Sequence, residues 1–207
     1  MIAAALAAAC RLICGTAVQW RCDPNADVQR VYFGNHSSHL DFIVIWSALP
    51  PRLRQLTCPV AGRDYWEHGA VRRYLASNVF RAVLIERGHA GSENAPASAR
   101  ASLQRIADAM GDRKSVIVFP EGTRSVNGEV GPFKSGLFHL SRARPDAELI
   151  PVYLENLNRI LPKGETLPVP MLSRVVFGAP LSADVGEGKE RYLAKARATL
   201  LQLRTTG

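Results

Sequence analysis

Two short apolar runs, Val31-Tyr32-Phe33 and Val116-Ile117-Val118-Phe119, each break into a polar turn, and this pairing constrains the fold more than any other feature. Each run reads as a buried strand, and each turn as the exit from its end, where open α/β sheets collect their ligands. The turn after the first run is Asn35-His36-Ser37-Ser38-His39-Leu40-Asp41, which supplies an imidazole and a carboxylate. The turn after the second is Pro120-Glu121-Gly122-Thr123-Arg124-Ser125, which supplies a guanidinium, a hydroxyl and flexible backbone. A base on one turn and an anion clamp on another point to proton abstraction from a substrate that carries phosphate.

The rest of the chain follows the same alternation. Strands are predicted over 28–34, 55–60, 80–85, 116–119, 149–154 and 173–177. Helices are predicted from Ser37 or Ser38 to Pro50-Pro51, and over 63–77, 98–110, 133–143 and 188–204. Polar loops are expected over 91–96 and 125–132. Pro151, inside its strand, implies an edge, a bulge or a strand start. Such alternation describes a mixed α/β fold, a largely parallel sheet flanked by helices.

Composition narrows the partners. The 207 residues carry a net charge of +8, which favours an anionic partner such as a membrane surface, an acidic carrier or a phosphorylated substrate. Aromatic residues make up only 7% and no arginine–aromatic interleaving occurs, which speaks against nucleic acid. The cysteines at 10, 14, 22 and 58 form no Cys-x-x-Cys pair, so neither a disulfide framework nor a zinc site is indicated. Cys10 and Cys14 share one helix face as small apolar fillers, which suits a reducing compartment.

Residues 1–22 form a candidate N-terminal amphipathic or membrane-anchoring helix, appended to a globular domain over 23–207. The run from Met1 to Cys10 lacks a basic leader, and Arg11 interrupts it well short of the ~20 apolar residues of a spanning helix. Read as one helix over 1–20, the segment places Arg11, Gly15 and Gln19 within an arc of about 80°, with Ile2, Leu6, Ile13 and Trp20 opposite. That pattern fits a helix lying in a membrane interface, and equally one packed on the core.

His36 and Asp41 would stand about 140° apart on one straight helix, so they meet only if His36 lies on the turn and Asp41 in the first helical turn. Ser38, with an acid three residues later, supplies a variant of the capping box. Asp41 then orients the imidazole, whose other nitrogen removes a proton from a hydroxyl. The plainer alternative is a helix cap and a turn-satisfying histidine. A metal-binding alternative rests on His36-x-x-His39-x-Asp41, similar to the ligand run of metallo-β-lactamase-like hydrolases, with Phe42 where the last histidine belongs. A non-catalytic lipid-binding module using the basic face is the third alternative. Arg124, Thr123 and the backbone at Gly122 suit a phosphate, whereas a surface pair of Glu121 with Arg124 is the bland reading of that turn.

Taken together, the blocks resemble the glycerolipid acyltransferases, above all the lysophosphatidic acid acyltransferases. Asn35-His36-x-x-x-x-Asp41 and Phe119-Pro120-Glu121-Gly122-Thr123-Arg124-Ser125 are similar to that family's first and third blocks. Leu84-Ile85-Glu86-Arg87, Phe133-Lys134-x-Gly136, Ile150-Pro151-Val152 and Arg174-Val175-Val176-Phe177-Gly178-x-Pro180 resemble the others, in order. Three positions depart from the family pattern: Arg81 replaces a usual glycine, Leu84 a frequent Phe, and Glu86 the commoner Asp.

The resemblance implies His36 as general base with Asp41 orienting it, and direct attack on a thioester without an acyl-enzyme. It implies substrate contacts from Asn35, Ser38, Arg87, Glu121, Gly122, Thr123 and Arg124, with Glu121 positioning Arg124 or binding a glycerol hydroxyl. Lys134, Arg72 and Arg73 are candidates for the acidic side of the acyl donor, and Pro151 for the neighbourhood of the acyl chain. No cofactor or metal is implied, acyl-CoA or acyl carrier protein being a co-substrate. The implied setting is the cytoplasmic face of a membrane, with peripheral or N-terminally anchored attachment and membrane lipids and a lysophospholipid as partners.

Overall fold

The structure, a computed structural model, describes residues 2–86, 95–161, 165, 167–182 and 186–205. Seven strands form one sheet: β1 (Ala17–Trp20), β2 (Arg30–Gly34), β3 (Thr57–Gly62), β4 (Val83–Ile85), β5 (Ser115–Val118), β6 (Glu148–Glu155) and β7 (Arg174–Phe177). Their order is β1-β7-β6-β2-β5-β3-β4, and every neighbouring pair is parallel except β6 with β7. The expected mixed, largely parallel sheet flanked by helices is what forms.

The apolar runs are continuous because the central strands are covered on both faces. On one face Tyr32, Ile117, Ile150 and Val152 pack with α1 (Ile2–Cys14), α2 (Asp41–Ala48), α3 (Pro51–Leu56), α4 (Arg63–Trp66) and α8 (Leu157–Ile160). On the other Val31, Phe33, Val116 and Tyr153 pack with α6 (Ala95–Met110), α7 (Gly136–Ala143) and α9 (Lys189–Thr205). After β2 the chain enters α2 on the first face; after adjacent β5 it enters α7 on the second. The crevice outside these two strand ends is therefore a topological switch point.

Several expectations need correction. The N-terminal helix stops at Cys14, where Gly15 at φ +46° turns the chain, and residues 17–20 form edge strand β1. The helix expected over 1–22 thus merges a helix with a strand of the sheet itself. Arg11, although exposed, ties α1 to the C-terminal end of α2, its Nε donating to the Ser47 carbonyl at 2.9 Å. Ala7, Cys10 and Cys14 are buried in the core, the two cysteines as the fillers expected, and the hydrogen bond with Cys10, followed by burial, pushes the Cys14 thiol up. Among the described residues no helix is long and apolar enough to cross a membrane.

The helix expected over 63–77 is broken at Gly69 into α4, then α5 (Ala70–Tyr74) and a π-helical turn over Leu75–Val79. The next strand begins only at Val83, because Arg81 adopts φ +51°, a left-handed conformation that costs a non-glycine residue of order 1 kcal/mol or more. That conformation is why a glycine suits this position and why the arginine is conspicuous there. Pro151 lies within β6, an interior strand between β2 and β7. Its missing N–H is tolerated because β7 ends opposite Val152, and beyond it the Pro151 carbonyl accepts from Gly178. The expected edge, bulge or strand start is replaced by the end of the neighbouring strand.

Candidate active site

β2 delivers His36 and, one helical turn later, α2 opens at Asp41. His36 Nδ1 lies 2.8 Å from Asp41 Oδ2, and the carboxylate is fully buried. A carboxylate only accepts, so Nδ1 carries the proton and Nε2 keeps its lone pair. Asp41 Oδ2 also accepts from the backbone N–H of Ser37 at 2.6 Å and of Ser38 at 2.8 Å. The Ser38 contact is the reach-back half of the expected capping box. The forward half falls one residue short, Ser38 Oγ accepting from the Leu40 N–H at 3.2 Å while it donates to the Leu161 carbonyl at 2.9 Å.

The imidazole is held on its face as well as its edge. Phe119 stacks on it with ring centroids 4.2 Å apart and planes 16° from parallel. Sequence reasoning gave Phe119 no role beyond ending a strand; the signal was its place directly before Pro120 at the sheet edge. With Asp41 fixing the ring nitrogen and Phe119 the ring plane, His36 has little freedom left.

The second turn is tied to the first. Ser125 N–H donates to the His36 carbonyl at 2.7 Å, and Glu121 Oε1 accepts from the His36 N–H at 2.8 Å. Glu121 Oε2 accepts from Gly131 N–H at 2.8 Å, so this buried carboxylate bridges the base's own backbone to the loop that follows. Its oxygens meet backbone donors rather than Arg124, which corrects the expected positioning of Arg124 by Glu121. Gly122 adopts φ +70°, and a side chain there would strike the Lys134 ammonium at 2.9 Å. Arg124 Nη1 is buried without a protein hydrogen-bond partner, a donor at hand for an anion.

One cleft of about 770 Å³ joins these groups. His36, Phe119, Gly122, Arg124 and Lys134 all line it, so the base and the guanidinium face shared space as the two turns predicted. Its volume is that of a site for a sizeable small molecule. His39, Tyr65, Trp66, His68 and Arg72 line it on the α2–α4 face of the sheet. Val60, Ile85, Leu103, Ile106, Leu137 and Leu140 line an apolar branch under α6 and α7.

A model of the family described as Acyltransferase matches residues 24–155, well over half of the sequence. This chain belongs to the acyltransferase family. It is 30% identical over 146 residues to the chloroplastic 1-acyl-sn-glycerol-3-phosphate acyltransferase BAT2 of Brassica napus, covering 68% of this chain and 37% of that protein. It is 31% identical over 135 residues to the mouse (Mus musculus) 1-acyl-sn-glycerol-3-phosphate acyltransferase alpha, covering 65% and 43%. The chain thus spans less than half the length of either relative. The crystal structure of the 1-acyl-sn-glycerophosphate (LPA) acyltransferase PlsC from Thermotoga maritima superposes with a TM-score of 0.71 at 16% identity. That match covers 98% of this chain and 77% of the other, a likeness of fold.

Within this acyltransferase-family chain, some expected substrate contacts have structural work instead. The Asn35 side chain donates to the Leu154 carbonyl at 2.9 Å and accepts from the Leu154 N–H at 2.8 Å, splicing the first turn to β6. Ser38 is fully buried on Leu161. Pro151 is a core residue of β6, against Gly178, and does not line the cleft. Thr123 is exposed and does not line the cleft either. Arg87 lies outside the described residues. His39 does not join His36 and Asp41 as a ligand set: its ring stacks on Tyr65 at 4.6 Å. Among the described residues no three His, Cys, Asp or Glu groups converge to hold a metal.

Proposed function

We propose that this acyltransferase-family chain moves a fatty acyl group from a thioester to the free hydroxyl of lysophosphatidic acid, giving phosphatidic acid. The observation that carries the reading is the Asp41–His36 pair opening into one cleft with the unpartnered Arg124 guanidinium. His36 Nε2 takes the hydroxyl proton as the oxygen attacks the thioester carbonyl. The tetrahedral intermediate collapses with cleavage of the C–S bond, and the imidazolium returns the proton to the departing thiolate. Asp41 holds the tautomer throughout and balances the charge on the ring. Arg124 and Lys134 hold the acceptor's phosphate by charge-assisted hydrogen bonds, and an acyl chain occupies the apolar branch under α6 and α7. The likeness to 1-acyl-sn-glycerol-3-phosphate acyltransferases supports the acceptor.

The donor is acyl-CoA or acyl carrier protein, with no further cofactor. The chain works at the cytoplasmic face of a membrane, attached peripherally. Supporting this, Ile2 and Leu12 on the outward side of α1 are 53% and 84% exposed, and Leu172, 75% exposed, adjoins the end of that helix at Gly15. Such an apolar patch on a protein of net charge +8 suits an anionic bilayer surface.

Thiol release from palmitoyl-CoA and palmitoyl carrier protein, measured across a panel of lysolipids, tests the reading. Turnover with lysophosphatidic acid is expected. Turnover with a phosphate-free lysolipid but none with lysophosphatidic acid would transfer the assignment to another lysolipid acceptor.

A further inference from the structure

The cleft has a second cationic wall that the acceptor site leaves unused. Arg72 of α5 lies over the Tyr65 ring of α4, 4.4 Å from its centroid. Tyr65 in turn stacks on His39, which precedes α2, at 4.6 Å and 22° from parallel. Guanidinium, phenol and imidazole thus form one continuous pile, drawn from three separate elements, and all three line the cleft. None of the ion pairs among the described residues uses Arg72, whose charge is therefore available to a ligand. Stacking occupies a face of the guanidinium and leaves the N–H donors at its edge, the geometry that suits phosphate.

The position of this pile relative to the apolar branch matters. Tyr65 and the neighbouring Trp66 belong to the core on the α1–α4 face of the sheet, whereas Ile106, Leu137 and Leu140 belong to that on the α6–α7 face. The cleft therefore straddles the sheet edge, and His36 comes off the end of β2 on that edge. A thioester donor has the same polarity: hydrocarbon on one side of the reactive carbonyl, a phosphorylated pantetheine arm on the other. Arg124, on the β5 turn, and Lys134, just before α7, already answer the one phosphate of the acceptor.

We infer that the Arg72–Tyr65–His39 pile is the subsite for the phosphorylated pantetheine arm of the acyl donor, an assignment that rests on the acyl-transfer reading above. Arg72 contacts the phosphate, and Tyr65 holds Arg72 and His39 in register. The arm is common to coenzyme A and to carrier proteins, so donors of both kinds meet the same wall.

The test uses the full chain with Arg72→Ala and with Tyr65→Leu, which removes the ring on which Arg72 rests. Steady-state kinetics are taken with palmitoyl-CoA, palmitoyl carrier protein and lysophosphatidic acid, each varied in turn, and free coenzyme A is titrated by calorimetry. Arg72→Ala is expected to raise the donor KM about 10-fold and to weaken coenzyme A about 10-fold. The KM for lysophosphatidic acid should stay within about 2-fold, and Tyr65→Leu should raise the donor KM in the same direction by about 3-fold. A change with palmitoyl-CoA alone would place the nucleotide end of coenzyme A on the wall, and a change with the carrier protein alone would place the carrier's own surface there; either overturns the assignment to the shared arm. A rise in the lysophosphatidic acid KM with the donor KM unchanged overturns the inference, as does no change in any constant. The coenzyme A titration needs no turnover, so it decides the subsite even if the wild-type chain acylates no lysolipid, and the two readings fail separately.

Discussion

The turns after β2 and β5 leave neighbouring strands and touch one another, yet they are built on opposite plans. In the first, nearly every polar side chain is used within the protein: Asn35 on Leu154, Ser38 on Leu161, Asp41 on His36 and two backbone N–H groups. What remains is the imidazole's second nitrogen, the His39 ring on the cleft wall and the buried, unpartnered Asp41 Oδ1. In the second, Glu121 and Phe119 turn inward to brace His36, while Arg124 keeps a donor open and Thr123 stands in solvent. The difference teaches which task needs rigidity. Removing a proton demands one nitrogen in one place, and a misplacement near 1 Å can cost about 100-fold. Holding a phosphate tolerates a flexible loop, since several donors can share three oxygens.

The largest effect should follow from breaking the rigid turn at its carboxylate. Asp41→Asn preserves volume but removes the acceptor that fixes the Nδ1 proton and places an amide against donors of the same kind. A fall in kcat of about 1000-fold is expected, roughly 4 kcal/mol, with KM for both substrates within about 2-fold. Steady-state kinetics beside a thermal melt check this. A loss below tenfold would mean that Phe119 alone suffices to orient the ring.

Next comes Asn35→Ala, a test of whether that turn is a scaffold rather than a binding loop. It strips two hydrogen bonds from a buried stretch of β6 and leaves both Leu154 backbone groups unpaired. The expected loss is about 3 kcal/mol of stability, a fall in Tm of roughly 6–12 °C. KM for lysophosphatidic acid should hold in the molecules that remain folded. An unchanged Tm with a raised KM would return Asn35 to the substrate.

This contrast also marks how far the sequence could be read. The His36–Asp41 pair was legible because its members lie five positions apart and their geometry follows from one turn and one helix start. The duties of Asn35 and Ser38 were not, because their partners Leu154 and Leu161 lie more than a hundred residues downstream and are set by how β2 pairs with β6. The sheet itself was legible from its continuous apolar runs, since burial on both faces leaves no other way to place them. Residues 1–20 misled for a physical reason: Ala-rich helix and edge strand meet at Gly15, and a wheel drawn through both averages two periodicities. The alternation of exposed and half-buried positions from Ala17 to Trp20 is the period-2 signal that a shorter window would have caught.

A smaller effect is expected where the second turn binds. Arg124→Ala removes the open guanidinium and should raise the KM for lysophosphatidic acid about 30-fold, near 2 kcal/mol, while kcat changes by no more than about 3-fold. Initial rates over a range of lysolipid concentration at fixed donor give the split. If kcat falls further than KM rises, Arg124 acts on the reacting centre, and the division between a catalytic turn and a binding turn collapses.

The smallest effect belongs to Thr123, whose place beside Gly122 and Arg124 invited a phosphate contact. Its side chain is exposed and faces no part of the cleft lining. Thr123→Ala therefore removes a hydroxyl already solvated by water, and a surface change of that kind is worth less than about 0.5 kcal/mol. Expected are a Tm within about 1 °C of wild type and a lysophosphatidic acid KM within about 2-fold. The prediction is sharp because the second turn is the pliable one. Were the loop to fold over a bound phosphate and bring Thr123 onto it, the KM would rise by 5-fold or more without loss of Tm. That outcome would make the binding turn a closing clamp, and its openness here the unliganded half of a motion.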